Sequence, residues 1–276
     1  MRQVCRVVPL QRTPLCLLVL AVLVGCQMIH YHGLPITPAT AARAAVSGGH
    51  AFVSVRYPDQ LGLVLEVCQS FAVDNGAFSA WKSGEPVTDW TRYYAWVAEL
   101  QRYPSFDFAV IPDVIDGDEE ANDALLAEWP WRGSAKSGWV GAPVWHMHES
   151  IDRLQRLARE WPRVCLGSSG EFATVGNARW WNRIAEAMNA ICDKNGSPVC
   201  KLHGLRMLNP EVFGRLPLGS ADSTNIAQNI GIDSAWRGTY APVSKDCKAL
   251  VMRERIEKEQ ATVFWEPQPI QMVIAA

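Results

Sequence analysis

The chain has 276 residues, of which 49% are apolar and 20% charged. That balance excludes a disordered chain, and the length is ample for one large domain with a sizeable core. A formal net charge of −2 excludes a global basic field that would announce a nucleic-acid partner, and no apolar run of about 18 residues marks a transmembrane helix.

Residues 1–27 differ from everything after them. Arg2, Arg6 and Arg12 are their only charges, and an apolar run from Leu15 to Gly25 follows. This reads either as a signal-like leader or as an over-extended gene start with translation beginning at Met28. Leu23-Val24-Gly25-Cys26 resembles a lipoprotein cleavage box. The chain beyond Met28 reads as an intracellular enzyme, so a cytoplasmic location is expected. The alternative is a lipoprotein anchored through Cys26, and no membrane partner is expected unless the leader is genuine. Of eight Cys, Cys5, Cys16 and Cys26 lie in the leader. The other five (Cys68, Cys165, Cys192, Cys200 and Cys247) are an odd set with no C-x-x-C spacing. They read as thiols in a reducing compartment, with neither a disulfide framework nor a metal site.

From Met28 a short apolar run and a longer helical pattern alternate. The strand-like runs are Ile29–Gly33, Ala51–Tyr57, Ser70–Phe78, Phe106–Val114, Ala142–His148, Arg163–Ser168, Pro198–Leu205 and Leu218–Thr224. Amphipathic stretches lie between them at Pro38–Val46, Pro58–Val67, Thr88–Arg102, Asp118–Glu128, Glu149–Trp161, Asn177–Cys192 and Pro210–Leu216, with an eighth at Ser244–Gln260. Thr37-Pro38, Thr88-Asp89 and Asn209-Pro210 offer helix-start chemistry. Trp90, Tyr94, Val97 and Leu100 recur at the spacing of a core-facing stripe. Eight such repeats predict an α/β fold, a (β/α)8 TIM barrel over residues 28–260 with a tail at 261–276. A doubly wound open sheet is the alternative.

Catalytic groups of such barrels sit at the carboxyl ends of the strands. Those ends carry His30 and His32; Asp74, Asn75 and Phe78; Asp113; His146 and His148; Gly167, Ser168 and Glu171; His203; and Asp222. Each also has a plain reading. Asp74-Asn75-Gly76 makes a good turn, Asp113 and Asp222 could be helix caps, and Gly167–Gly170 could be only a loop. The Trp-rich segment Trp129–Trp139 reads as loop packing.

Five motifs in order resemble the tRNA-guanine transglycosylases. Val73-Asp74-Asn75-Gly76-Ala77-Phe78 is similar to their Asp-Ser-Gly-Gly-Phe, and Pro112-Asp113 to their base-recognising Asp. Leu166-Gly167-Ser168-Ser169-Gly170-Glu171 resembles Gly-Gly-Leu-x-x-Gly-Glu. His203-Gly204-Leu205 with Asn209-Pro210-Glu211 resembles Met-Gly-x-Gly-Thr-Pro-Glu, two residues longer here, and Asp222 falls at the nucleophile position. The family's C-terminal zinc subdomain has no counterpart, since Cys247 is the one cysteine after Cys200. His32–Pro38 and Asp222-Ser223-Thr224-Asn225 look closest to the DNA-acting branch, deoxypurine-in-DNA protein A (DpdA), often encoded by phages.

The resemblance implies a pentosyltransferase that exchanges guanine in DNA for a 7-deazaguanine base, without cofactor or metal. A tRNA-guanine transglycosylase is the nearest alternative. Asp222 would attack C1′ and Asp74 would serve as acid and base. Asp113, Phe78, Asn75, Gly167, Ser168, His146 and His203 would bind the base. Apart from the resemblance, the charges of Arg179, Arg206, Arg183, Arg237, Lys245 and Lys248 read either as a track for nucleic-acid phosphates or as a solvated face. Partners would be DNA or tRNA, the base, and companion DNA-modification proteins. Two rivals from other classes are an amidohydrolase-type metal enzyme using His30, His32 and Asp222 as ligands, and a degenerate ligand-binding barrel.

Overall fold

Runs rich in β-branched and aromatic residues form strands here because their side chains fill both faces of one parallel sheet. The structure is a computed structural model and describes residues 27–132, 140–237 and 241–267. The strands are β1 (Ile29–Gly33), β2 (His50–Ser54), β3 (Ser70–Asp74), β4 (Phe106–Val110), β5 (Gly141–Ala142), β6 (Val144–His146), β7 (Arg163–Gly167), β8 (Lys201–Gly204) and β9 (Ser220–Ser223). All pair in parallel, in the order β5-β4-β3-β2-β1-β9-β8-β7-β6.

The two ends of that list are halves of one stave. Pro143 has no N–H to donate, and it divides the fifth stave into β5 and β6. The Ile111 N–H donates to the Ala142 carbonyl at 2.9 Å and the Cys165 N–H to the Pro143 carbonyl at 2.8 Å. The sheet thus returns on itself as a nearly closed (β/α)8 barrel, as the alternation predicts, and an open doubly wound sheet is excluded.

Ten helices are described: α1 (Ala39–Val46), α2 (Leu61–Val67), α3 (Ala77–Lys82), α4 (Thr91–Leu100), α5 (Glu119–Glu128), α6 (Ile151–Glu160), α7 (Ala178–Ile191), α8 (Pro210–Phe213), α9 (Asn225–Asn229) and α10 (Lys245–Glu257). Side-chain caps fix several starts. Asp118, Ser150, Asn177, Asn209 and Ser244 each accept a first-turn N–H. The Thr37-Pro38 expectation fails, because Pro38 itself stands at the cap with no side-chain bond. The α10 helix packs on α1, so the last helix closes the outer ring against the first.

Several strands end sooner than the sequence pattern predicts. The expected run to Phe78 stops at Asp74, where Asn75 and Gly76 turn the chain into α3. Gly76 sits at φ +78°, a left-handed conformation that favours glycine. The run to Tyr57 likewise stops at Ser54, and Pro58–Gln60 forms a 3-10 turn before α2.

Strand parity divides the core in two. Tyr31, Phe52, Ala72, Phe108, Val110, Ala142, Val144 and Cys165 point inward and fill the barrel. The larger cluster, including Trp145, Leu166, Trp180 and Ile184, lies between sheet and helices. The expected boundary at residue 260 is not a packing boundary. Trp265 is buried, its N–H donating to the Gly196 carbonyl (2.8 Å) and its indole N–H to Asn189 (2.7 Å). The leader through Cys26, Trp139 and the end of the tail lie outside the described residues.

Candidate active site

The parity that puts Phe52 and Ala72 inside the barrel also turns Ser54, Asp74, His146, Gly167 and Asp222 inward at its carboxyl end. Two of the predicted carboxylates therefore converge, and Asp113 joins them from the loop after β4.

Asp222 is 5% exposed. Its Oδ1 accepts the Arg206 backbone N–H at 3.0 Å, and His203 Nε2 lies 3.3 Å from the same oxygen. Among the described residues no hydrogen bond engages Oδ2. Arg206 sits at φ +61°, a strained conformation for a residue with a Cβ. Its guanidinium lies 4.6 Å from the centroid of the Phe78 ring, and that ring is 5.8 Å from Trp81. One arginine thus ties the Asp222 carboxylate to the candidate stacking aromatic.

Asp74 is half-buried at the end of β3, where Oδ2 accepts the Gly76 N–H at 3.1 Å. Burial pushes its carboxyl up to about 7, with the Asp222 and Asp113 charges adding to the rise. Hydrogen bonds from Ser54 and Gly76 oppose the shift. The Asp74 carboxyl can therefore give and take a proton near neutral pH.

Asp113 is held from two sides. Oδ1 accepts from Asn75 Nδ2 at 2.7 Å, and His146 Nε2 is 2.9 Å from Oδ2. His146 is anchored in turn by a buried cluster behind it. Glu149 accepts the His146 N–H (2.8 Å), Asn122 Nδ2 (2.9 Å) and Arg153 Nη1 (2.6 Å). A buried carboxylate with three donors is stable only while all of them are present.

Other predicted residues take different roles. Asn75 spends both amide hydrogens, on the Ile111 carbonyl and on Asp113, and its oxygen accepts the Ala77 N–H. It builds the turn and holds Asp113, with no donor left for a base. The Ser168 hydroxyl accepts the Trp180 indole N–H at 2.9 Å and so faces α7. Gly167 makes room, since a Cβ there would stand 3.1 Å from His146 Nδ1. His203 is wholly buried beneath Asp222 and is shielded from any incoming base. Two of the six cations in the expected basic track are neutralised. Arg179 pairs with Glu171 at 2.7 Å, and Arg183 binds Glu186 and the Met147 and Glu149 carbonyls. Among the described residues Arg56, whose stem lies over Gly76, Lys82 at the end of α3, and Arg206 are exposed cations with no ion pair.

His30 and His32 have outward parity. His30 Nε2 meets the Glu259 carbonyl at 3.0 Å and His32 Nε2 meets Glu257 at 3.1 Å, both on the helix side of the sheet. They cannot share a metal with the inward Asp222. Among the described residues no group of three His, Cys, Asp or Glu is arranged to hold a metal ion. The five thiols beyond the leader are free, with burial raising those of Cys68, Cys192 and Cys200 to about 12.

Replacing Arg206 by Gly separates its two contacts. Arg206→Gly keeps the backbone N–H on Asp222, relieves the left-handed strain and removes the guanidinium from Phe78. Urea denaturation should show a gain of about 1 kcal/mol. A loss of stability would mean that the guanidinium contact outweighs the strain.

No family model and no curated protein matches this chain. Solved structures resemble it at low identity. A provisionally assigned fructose-1,6-biphosphate aldolase from Coccidioides immitis is 12% identical, covering 88% of this chain and 96% of its own, with TM-score 0.47. A mutant tryptophan synthase alpha-subunit from Pyrococcus furiosus is 9% identical, covering 85% and 97%, with TM-score 0.49. A protein from Aquifex aeolicus VF5 is 11% identical, covering 87% and 95%, with TM-score 0.48. These likenesses say nothing of substrate. Among the described residues no helix is long and apolar enough to cross a membrane.

Proposed function

We propose that this chain is a base-exchanging pentosyltransferase that replaces guanine in DNA with a 7-deazaguanine base through a covalent Asp222–sugar intermediate. The observation that carries the reading is the mutual placement of Asp74 and Asp222. Both face into one barrel mouth, near enough for the Asp222 charge to raise the Asp74 carboxyl. Breaking an N-glycosidic bond with retention needs this pair, one carboxylate to attack and one carboxyl to trade a proton.

In the proposed reaction Asp222 Oδ2 attacks C1′ while Asp74, protonated, gives its proton to the departing guanine. The incoming base then attacks C1′ from the same side, Asp74 takes its proton, and the Asp222–sugar bond breaks. Two inversions retain the configuration. Asp113, with its oxygens set by Asn75 and His146, accepts from the N–H edge of the base, and Phe78 offers its face for stacking. Arg206 supports the family resemblance in another way. It occupies the second glycine of the family's Met-Gly-x-Gly, and its backbone has the conformation a glycine would choose.

A polymer substrate must present its nucleotide outside the duplex to reach Asp222. Arg56, Lys82 and Arg206 would then meet phosphates. Incubation with radiolabelled guanine and either DNA or tRNA, with and without companion proteins, tests the reading. Label should enter DNA, and binding should weaken steeply with salt. Label entering tRNA alone would make the chain a tRNA enzyme, and label entering neither polymer under any condition would sink the proposal.

A further inference from the structure

Beneath Asp222 lies a buried polar chain that takes no part in the proposed exchange steps. His203 projects inward from β8 and is completely buried. Its Nδ1 is 2.8 Å from the Ser220 hydroxyl oxygen on β9, a contact set by the pairing of His203 with Ser220 across the two strands. Its Nε2 lies 3.3 Å from Asp222 Oδ1, off the line of a good hydrogen bond. The ring stacks on Phe52 (5.4 Å, 27°) and meets Phe108 edge-on at 5.0 Å. Apolar packing therefore fixes the ring plane, and Ser220 fixes its rotation.

We infer that His203 is a positioning residue for the nucleophile, holding Asp222 Oδ1 through Nε2–H so that Oδ2 alone faces the mouth. The inference rests on the base-exchange reading for its kinetic consequence, but not for its geometry. A carboxylate can only accept, so the nitrogen facing it must carry the proton. Nδ1 is then bare and takes the Ser220 O–H. Burial also holds the His203 imidazole below its ordinary pKa, which keeps the ring neutral. The order Ser220–His203–Asp222 differs from a serine hydrolase in function, because here the hydroxyl is the buried end and the carboxylate is the end open to substrate. The 3.3 Å resting contact at Nε2 fits a bond that closes when substrate binds, as catalytic hydrogen bonds commonly tighten on binding. Together with the Arg206 N–H it would give Oδ1 two donors and Oδ2 none, and the oxygen with no donor is the better nucleophile.

The test compares two replacements at one position. His203→Phe keeps the aromatic packing but has no donor, whereas His203→Gln can restore an N–H toward Oδ1. In the exchange assay His203→Phe should form the covalent sugar adduct about 10²-fold more slowly, with KM for guanine unchanged. His203→Gln should recover most of that loss. Wild-type adduct formation in His203→Phe, or a loss confined to KM, overturns the role. Nitrogen-15 NMR of the histidine rings decides the matter without activity. His203 should be the neutral Nε2–H tautomer, its Nε2–H signal should move in Asp222→Asn, and Ser220→Ala should mix the tautomers. An Nδ1–H tautomer, or no response to Asp222→Asn, refutes the inference even if exchange is observed. If the wild type exchanges no base yet these NMR shifts appear, the positioning geometry stands and the reaction assignment fails.

Discussion

Asp222→Asn should reduce base exchange by roughly 10⁴-fold and eliminate the trapped sugar–enzyme adduct, while leaving the fold intact. The replacement is close to isosteric. An Asn oxygen at the Oδ1 position still accepts the Arg206 N–H and still faces His203 Nε2, so neither donor is stranded. The amide nitrogen then takes the Oδ2 position at the mouth, where it cannot attack C1′. Thermal unfolding should stay close to wild type. Asp222→Ala is the poorer probe, since it leaves the Arg206 N–H and His203 Nε2 facing an empty site and costs about 1–3 kcal/mol for an unsatisfied donor. Mass spectrometry of enzyme quenched with substrate reads the adduct directly. If Asp222→Asn still forms an adduct, the nucleophile lies elsewhere, and Asp74 and Asp113 become the residues to replace.

Much of this site could be read from the sequence, for a physical reason. In a parallel barrel the polar residue that ends an apolar run reaches the carboxyl rim wherever its run begins, so Asp74, Asp113 and Asp222 could be grouped without a structure. What could not be read was parity. His30 and Tyr31 are adjacent, yet Tyr31 enters the barrel and His30 faces the helices. Both faces of a parallel strand are apolar, so the pattern does not say which side is inside. That parity is what separates His30 and His32 from Asp222. Cross-strand partners were equally hidden, because Ser54 beside Asp74 and Ser220 beside His203 depend on register. Glu149 and Arg153 form an i,i+4 pair, and that spacing alone does not say which side of a helix faces the core. Only the fold shows that the pair is buried and braces His146. Arg179 looked like a phosphate contact because its carboxylate partner Glu171 lies eight residues away across a loop.

Asp74→Asn should act on stability and catalysis with opposite signs above neutral pH. The Asp74 carboxyl has an ordinary value of 3.8 and is raised by burial to about 7 in the folded chain. The native state therefore keeps a proton that the unfolded chain releases between those values. Its contribution is fully present below about pH 4 and is lost as pH rises through about 7. Wild type should thus become less stable from pH 5 to pH 8.5, by an amount on the order of 2–4 kcal/mol from this group. Asp74→Asn has no charge to bury, so its urea midpoint should be flatter with pH and should exceed wild type at pH 8.5. Exchange should nevertheless fall about 10²- to 10⁴-fold, because the amide can neither protonate guanine nor accept the proton of the incoming base. The two carboxylates are also coupled. Since the Asp222 charge helps to raise Asp74, Asp222→Asn should move the Asp74 titration toward acid, visible as a shifted carboxyl resonance with carbon-13 aspartate. Burial is the largest cause of the shift, so Asp74 should still titrate above its ordinary value in that variant. A midpoint unmoved by Asp222→Asn would mean that the two groups do not share one site, and a single sugar could not then lie between them.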